Sequence, residues 1–320
     1  MSPTTISRHI RLEAIDTADN HFLLNPFDAL PDEQQVNDLQ QLGLYIPPLL
    51  QENPEGRYRI LAGFATVEAA STAGMEEIVS LVLAEATPPE PLFTAILRRN
   101  LMAGPLSVME QALFLDKVSS SLGKETAVAF LPRLGYRAQH YILGELTSLL
   151  ALERPLQEAL HRGSLHLRTG KKLLRFSAQD QQTILELVLR LQLGTGKQQK
   201  LVDSAWELSR RESRKFTEIL AEWPGSGSRE AQENRPQLAA SLLAWLHTRC
   251  FPRSSRAEEE FRTFCQRLDL PPGVHLQHTQ AFEDDRLVLS ITFADRATFL
   301  ASWPGISSCL REEQRHQKPE

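Results

Sequence analysis

Cysteine is scarce in this sequence. There are three in 320 residues, Cys250, Cys265 and Cys309, an odd number with no Cys-x-x-Cys pair. This excludes a disulfide framework or a thiolate zinc site and fits a reducing compartment. No stretch approaches the roughly 18 apolar residues of a membrane span, so no membrane segment is expected. The opening MSPTTISRHIRLEAID has no apolar run behind its basic residues, and no signal peptide is expected. Metal-ligand spacing is missing too. His275 and His278 stand three apart in a strand-like run and would point to opposite faces, while His161 and His166 have no acids or thiols at ligand spacing. Gly194-Thr195-Gly196-Lys197 is only half a phosphate loop. It lacks the earlier glycine, where Leu191 stands, and the following Ser or Thr, where Gln198 stands, and it reads as a helix-ending turn. Ser121 and Lys124 have the spacing of a serine–lysine pair without the rest of that chemistry, and a helix N-cap near Thr126 is the expectation.

Charge is present in quantity and unevenly placed. The chain is 42% hydrophobic and 23% charged, with a net charge of -5. Residues 1–97 hold 4 basic and 14 acidic side chains, residues 98–215 hold 19 and 11, and residues 216–320 hold 12 and 15. A basic middle between acidic flanks is the footprint of a chain that meets an anionic partner there. Solvated basic helix faces would give the same count.

The length fits two or three domains. Residues 1–90 read as a small α/β domain. Strands are expected at Arg8–Ile15, Tyr45–Gln51, Tyr58–Leu61 and Glu77–Ala84. A helix is expected over Pro31–Leu42 with Leu39 and Leu42 on one face, and another from Gly63 through Ala73. Residues 91–222 read as helical throughout, with apolar residues at three and four spacing and Gly or Pro between segments. Residues 223–256 open on the turn-rich stretch Trp223–Pro236, read as a linker or exposed loop, and continue into a helix over Gln237–Thr248. Residues 257–320 read as a small α+β unit. It has a helix over Ala257–Leu268, a turn at Pro271-Pro272-Gly273, and a hairpin of His275–Phe282 and Arg286–Phe293 through Glu283-Asp284-Asp285. A closing helix over Ala297–Leu310 is broken at Pro304.

The order of segments from residue 8 to about 175 resembles the ParB-type chromosome partition proteins. The stretch IRLEAIDTADNHFLLNPF is similar to that family's opening, LQQLGLYIPPLL to its next helix and strand, and YRILAGFATVEAASTAGM to its strand and Gly-Glu-Arg-Arg box. LRRNLMAGPLSVMEQA stands at the family's Glu-Asn-x-x-Arg helix. GKETAVAFLPRLGY stands at its helix-turn-helix, with Gly123, Thr126, Leu134 and Gly135 in place. PLQEALHRGSLHLRTGKKLL follows the later Gly-x-Leu-Ser-x-Gly-His segment in spacing. The resemblance covers about half the chain and rests on the order of several weak matches.

It implies an α+β multidomain fold. The parts are a small α/β ParB/sulfiredoxin-like domain, an all-helical helix-turn-helix domain and a C-terminal α+β unit. It implies double-stranded DNA as partner, a homodimer, a partition ATPase as further partner, and a cytoplasmic, nucleoid location. The family's nucleotide chemistry is expected to be lost. Where its box arginines grip phosphate, this chain has Gly63-Phe64-Ala65-Thr66. Of the second motif only Asn100 remains, with Arg99 for the acid and Ala103 for the arginine. Ile46 replaces a glutamine in the base-lining loop. A vestigial pocket is expected at Gly63, Thr66, Arg99 and Asn100, with Arg98 and Arg99 where phosphate would lie. No cofactor, neither CTP nor Mg²⁺, is expected to bind, and no catalytic residue is assigned. The expected DNA-binding residues are Arg133, Arg137, Gln139 and His140 around the turn, and Arg168, Lys171, Lys172 and Arg175 beyond it, because base edges need polar groups at a helix start and phosphates need cations beside it. Pro132 is expected to end the first helix of this motif early. Two other functions stay open: a scaffold that recruits a protein partner through its C-terminal unit, and a CTP-dependent switch with non-standard residues.

Overall fold

The computed structural model describes residues 5–27, 31, 33–225, 234–268, 273–278 and 286–304. The chain forms two compact units, residues 1–243 and residues 244–320. Among the described residues no helix is long and apolar enough to cross a membrane.

The first unit begins with a five-stranded sheet. Its strands are β1 (Ile6–Arg11), β2 (Ile15–Asp16), β3 (Leu49–Glu52), β4 (Tyr58–Ala62) and β5 (Glu77–Leu83). Their order across the sheet is β1-β5-β3-β4-β2. β1 runs antiparallel to β5, with Ile10 opposite Ile78, and β3 runs parallel to β5, with Leu50 opposite Val82. The expected strand over Arg8–Ile15 is therefore two strands, parted by a 3-10 turn at Leu12–Ala14.

Adjacent residues of a strand point to opposite faces, and this sheet uses both. Leu50, Ile60, Ile78 and Val82 face a core with Val67 and Ala70 of α2 (Phe64–Thr72) and Leu39 of α1 (Glu33–Leu42). Leu49, Leu61 and Leu83 face the other way, onto α3 (Pro89–Ala103) and α4 (Val108–Leu122), through Phe93, Leu97, Phe114 and Leu115. Leu50 and Leu61 are fully buried, each contributing about 1.5–3 kcal/mol relative to exposure. Leu42 does not share the buried face of Leu39; it is 61% exposed at the end of α1, where Gly43 turns the chain with φ +79°.

The second core continues without a break from the sheet into the helices. Phe130, Leu131, Leu143 and Leu146 belong to the same buried cluster as Leu49 and Leu83. α5 (Lys124–Phe130) and α6 (His140–Thr147) both pack on α4. Pro132 ends α5 as expected, because its ring cannot continue the helix. The chain tightens into a 3-10 turn at Leu131–Leu134 and leaves it through Gly135 at φ +87°. Then follow α7 (Arg154–His161), α8 (Leu167–Leu173), α9 (Ala178–Arg190), α10 (Thr195–Glu212) and α11 (Phe216–Leu220). Gly194-Thr195-Gly196-Lys197 does not end a helix: Gly194 is the N-cap of α10 and the next three residues are its first turn. The helix N-cap expected near Thr126 is Gly123, which opens α5, while the Thr126 hydroxyl donates to the Leu122 carbonyl oxygen. Trp223, at the start of the turn-rich stretch, is buried.

α12 (Arg235–Cys250) crosses the division between the units. The second unit also holds α13 (Pro252–Arg267), which starts five residues before the expected Ala257 with Pro252 in its first turn. β6 (Val274–His278) and β7 (Leu287–Ile291) pair antiparallel, Val274 with Ile291 and Leu276 with Leu289. Residues 296–304 are helical. The expected turn Glu283-Asp284-Asp285, Pro271-Pro272 and the closing helix beyond residue 304 lie outside the described residues.

Candidate nucleotide cleft and nucleic-acid face

A cleft of about 390 Å³ opens where β4 passes into α2, lined among others by Tyr45, Phe64, Thr66, Asp38, Arg99 and Asn100. Gly63 is the N-cap of α2 at φ +91°, left-handed backbone that favours glycine. A Cβ there would also meet Arg99 Nη2 at 2.9 Å and Pro48 Cα at 3.0 Å. Gly63 is thus required twice, by conformation and by close approach.

Arg99 is 5% exposed. Its Nε donates to the Pro47 carbonyl oxygen at 2.6 Å and its Nη2 to that of Ile46 at 3.1 Å. Burial lowers its pKa, but an arginine stays charged at any physiological pH. Among the described residues it has no carboxylate partner. The expected phosphate ligand is therefore turned onto the loop before β3, which it ties to α3. Asn100 Nδ2 donates to Ile96 O of its own helix at 2.9 Å. Thr66 stands in the first turn of α2. Arg98 is not in this cleft; it is exposed and lines a separate groove with Thr94 and Met102. Among the described residues the cleft lining holds one cation, Arg99, and two acids, Asp38 and Glu110.

Glu110 is engaged elsewhere. It accepts from Ser107 N at 2.7 Å while Ser107 Oγ accepts from Glu110 N at 3.2 Å, a reciprocal cap at the start of α4. Ser107 Oγ also lies 2.8 Å from His161 Nδ1, linking α4 to the end of α7. The Ser-x-x-Glu spacing before an apolar run was the sequence signal for this cap. Among the described residues no three His, Cys, Asp or Glu side chains converge as a metal site would need.

The expected DNA-binding residues divide into two kinds. Arg137, Gln139 and His140 are exposed at the start of α6, and Gln139 is its N-cap residue without using its side chain as the cap. His140 Nε2 lies 3.3 Å from Glu125 on α5. Arg168 is exposed at the start of α8. Among the described residues Arg137 and Arg168 make no ion pair. The other four are held by their own chain. Arg133 donates to Thr94 Oγ1 at 2.9 Å and lies over the Phe130 ring at 4.7 Å, turned toward α3. Lys171 pairs with Glu145 of α6 at 2.5 Å, Lys172 with Asp203 of α10 at 2.6 Å, and Arg175 lies 6.0 Å from the Trp206 ring.

Lys171 thereby ties α8, which carries the later cluster, to α6, which begins at His140 of the earlier one, across 26 positions of sequence. A half-exposed ion pair contributes only about 0–1 kcal/mol, so both lysines can exchange a carboxylate for a phosphate. Gln198, which composition does not single out, sets the start of α8. It is 4% exposed, accepts from His166 N at 3.0 Å and donates to Ser164 O and Leu193 O.

No protein-family model matches the chain, and no curated protein matches it. Solved structures are similar to it, among them these three. The first is the C-terminally truncated chromosome-partitioning protein ParB from Caulobacter crescentus complexed to the centromeric parS site. It is 20% identical, with 62% of this chain and 100% of that one covered, at a TM-score of 0.35. The second is the same truncated protein complexed with CTP-γ-S, 20% identical over 57% of this chain and 99% of that one, at a TM-score of 0.25. The third is a Pnob8-like ParB-N domain, 14% identical over 77% of this chain and 99% of that one, at a TM-score of 0.36. All three are ParB proteins or ParB-N domains.

Proposed function

We propose that this chain is a ParB-like DNA-binding protein, of the partition or nucleoid-associated kind, whose nucleotide pocket has lost its chemistry. The observation that supports it most is the α5–turn–α6 segment. It stands in the basic middle of the chain and holds Arg137, Gln139 and His140 outward at the start of its second helix. Polar groups there suit base edges, and the cations of α8 suit phosphates. Fluorescence anisotropy of the full chain with a labelled duplex of mixed sequence tests this. Binding is expected at low salt, with log affinity falling linearly as log salt rises. A chain that leaves the duplex free at low salt would sink the reading. The full chain is the right sample, because a cut at residue 90 would divide one core.

The cleft reading has its own test. Calorimetric titration with Mg-CTP is expected to give no binding heat. Micromolar affinity would revive the CTP-dependent switch.

A second reading, recruitment of a protein through residues 244–320, is favoured by Leu287, Val288, Leu289 and Trp303, each about half exposed. A chain that binds no DNA yet captures a partition ATPase would support it.

A further inference from the structure

Three glycines lie within helices of the described residues, and two have a reason inside the chain. Gly170 in α8 is buried, and a Cβ there would meet Leu160 Cδ2 at 2.9 Å. Gly196 stands in the first turn of α10, where the amides have no helical partner in any case. Gly144 has neither reason. It is the fifth of the eight residues of α6, exposed, in ordinary helical conformation, and a Cβ there would meet nothing within 4 Å. Glycine inside a helix destabilises it relative to alanine, and among the described residues no close approach requires it here.

The surroundings say what could. Leu143 and Leu146 point into the core, so Gly144 lies on the outer side of α6. One turn before it Tyr141 is 62% exposed. One turn after it the Ser148 hydroxyl donates to Glu145 O at 2.8 Å, and Thr147 Oγ1 donates to Leu143 O at 2.9 Å, both folded onto their own helix. The outer face thus carries an aromatic ring, the bare backbone of Gly144, and the exposed Glu145. Glu145, the acid on this helix, is paired by Lys171. Arg137 is exposed before the helix and Arg168 is exposed on α8. Backbone without a Cβ, beside an exposed ring and on the helix that follows Arg137, suits a partner that approaches very closely.

We infer that Gly144 is the point of closest approach between α6 and duplex DNA, and that Tyr141 is the base-contacting side chain beside it. The inference rests on the DNA-binding reading and adds to it. Without a Cβ at 144 the helix axis can sit deeper in the major groove, which is only about 12 Å wide. The Tyr141 ring then meets base edges, with thymine methyl groups as its apolar complement.

The test selects duplexes from a random-sequence pool with the wild-type chain and then measures anisotropy on the enriched duplex. Gly144→Ala is expected to raise the melting temperature by roughly 1–4 °C and to weaken binding to that duplex about tenfold. Tyr141→Ala is expected to weaken it similarly at an unchanged melting temperature. Gly196→Ala should leave binding as it is. A more stable variant that binds less well is an outcome a folding role for Gly144 cannot give. If Gly144→Ala binds the enriched duplex as tightly as wild type, if it melts lower, or if the wild type binds DNA but enriches no sequence, the inference fails and the DNA reading stands. If the wild type binds no DNA at all, the DNA reading itself fails.

Discussion

Arg99 shows how a residue's type can be legible while its direction is not. The sequence marks it as a cation beside Asn100, where phosphate would lie. Helical period puts it on the same side of α3 as Leu92 and Ile96, both buried, and that period was the available sign that it points inward. What no local pattern gives is its partners, the carbonyl oxygens of Ile46 and Pro47, more than 50 positions away. Arg99→Met should destabilise the first unit by about 1–3 kcal/mol, since it leaves two partly buried acceptors unsatisfied. Arg99→Lys should recover only part of this, because a single ammonium cannot reproduce a planar fork held at two points. Chemical denaturation of the three chains checks this. A Met variant as stable as wild type would mean the loop needs no tie.

At the scale of elements, local chemistry was read best where one residue decides. Pro132 ends α5, Gly43 ends α1 and the Gly63 turn opens α2, each as the sequence indicates. Boundaries failed where tertiary contacts decide. Trp223 reads as the first residue of a linker because Pro, Gly and Ser follow it, yet it is buried beyond α11. The basic cluster was legible as composition, but not its engagement: Lys171 and Lys172 meet acids 26 and 31 positions away. With side chains 30% and 36% exposed, these pairs stabilise little. The variant Lys171→Ala, Lys172→Ala should therefore melt close to wild type. It should bind DNA more weakly, with a salt slope flatter by about 2. Arg133→Ala should leave that slope unchanged, since Arg133 is turned toward Thr94. An unchanged slope for the lysine variant would place the phosphate contacts elsewhere.

Across the whole molecule, the charge asymmetry and the order of segments were legible, and the continuity of the core was not. Phe93, Leu97 and Phe114 join the sheet to the helices in one cluster, which no count of residues reveals. The second unit poses the complementary question, what covers it. Val274, Leu276, Leu287, Leu289 and Ile291 share one face of the hairpin, because the register pairs Val274 with Ile291 and Leu276 with Leu289, with His278 opposite Leu287. Phe261 of α13 meets that face through the His278 ring, with centroids 4.8 Å apart. Leu287 and Leu289 nonetheless stay 49% and 52% exposed. Two strands with one partly covering helix bury little apolar area, and a second copy of the same hairpin would bury more by the same contacts. The full chain is expected to be a dimer. A chain ending at Phe251 should be a monomer that binds DNA more weakly, because two linked sites gain from effective concentration. Light scattering at tens of micromolar decides it: a monomeric full-length chain would end the dimer, and a truncated chain that still dimerises would move the interface into residues 1–251.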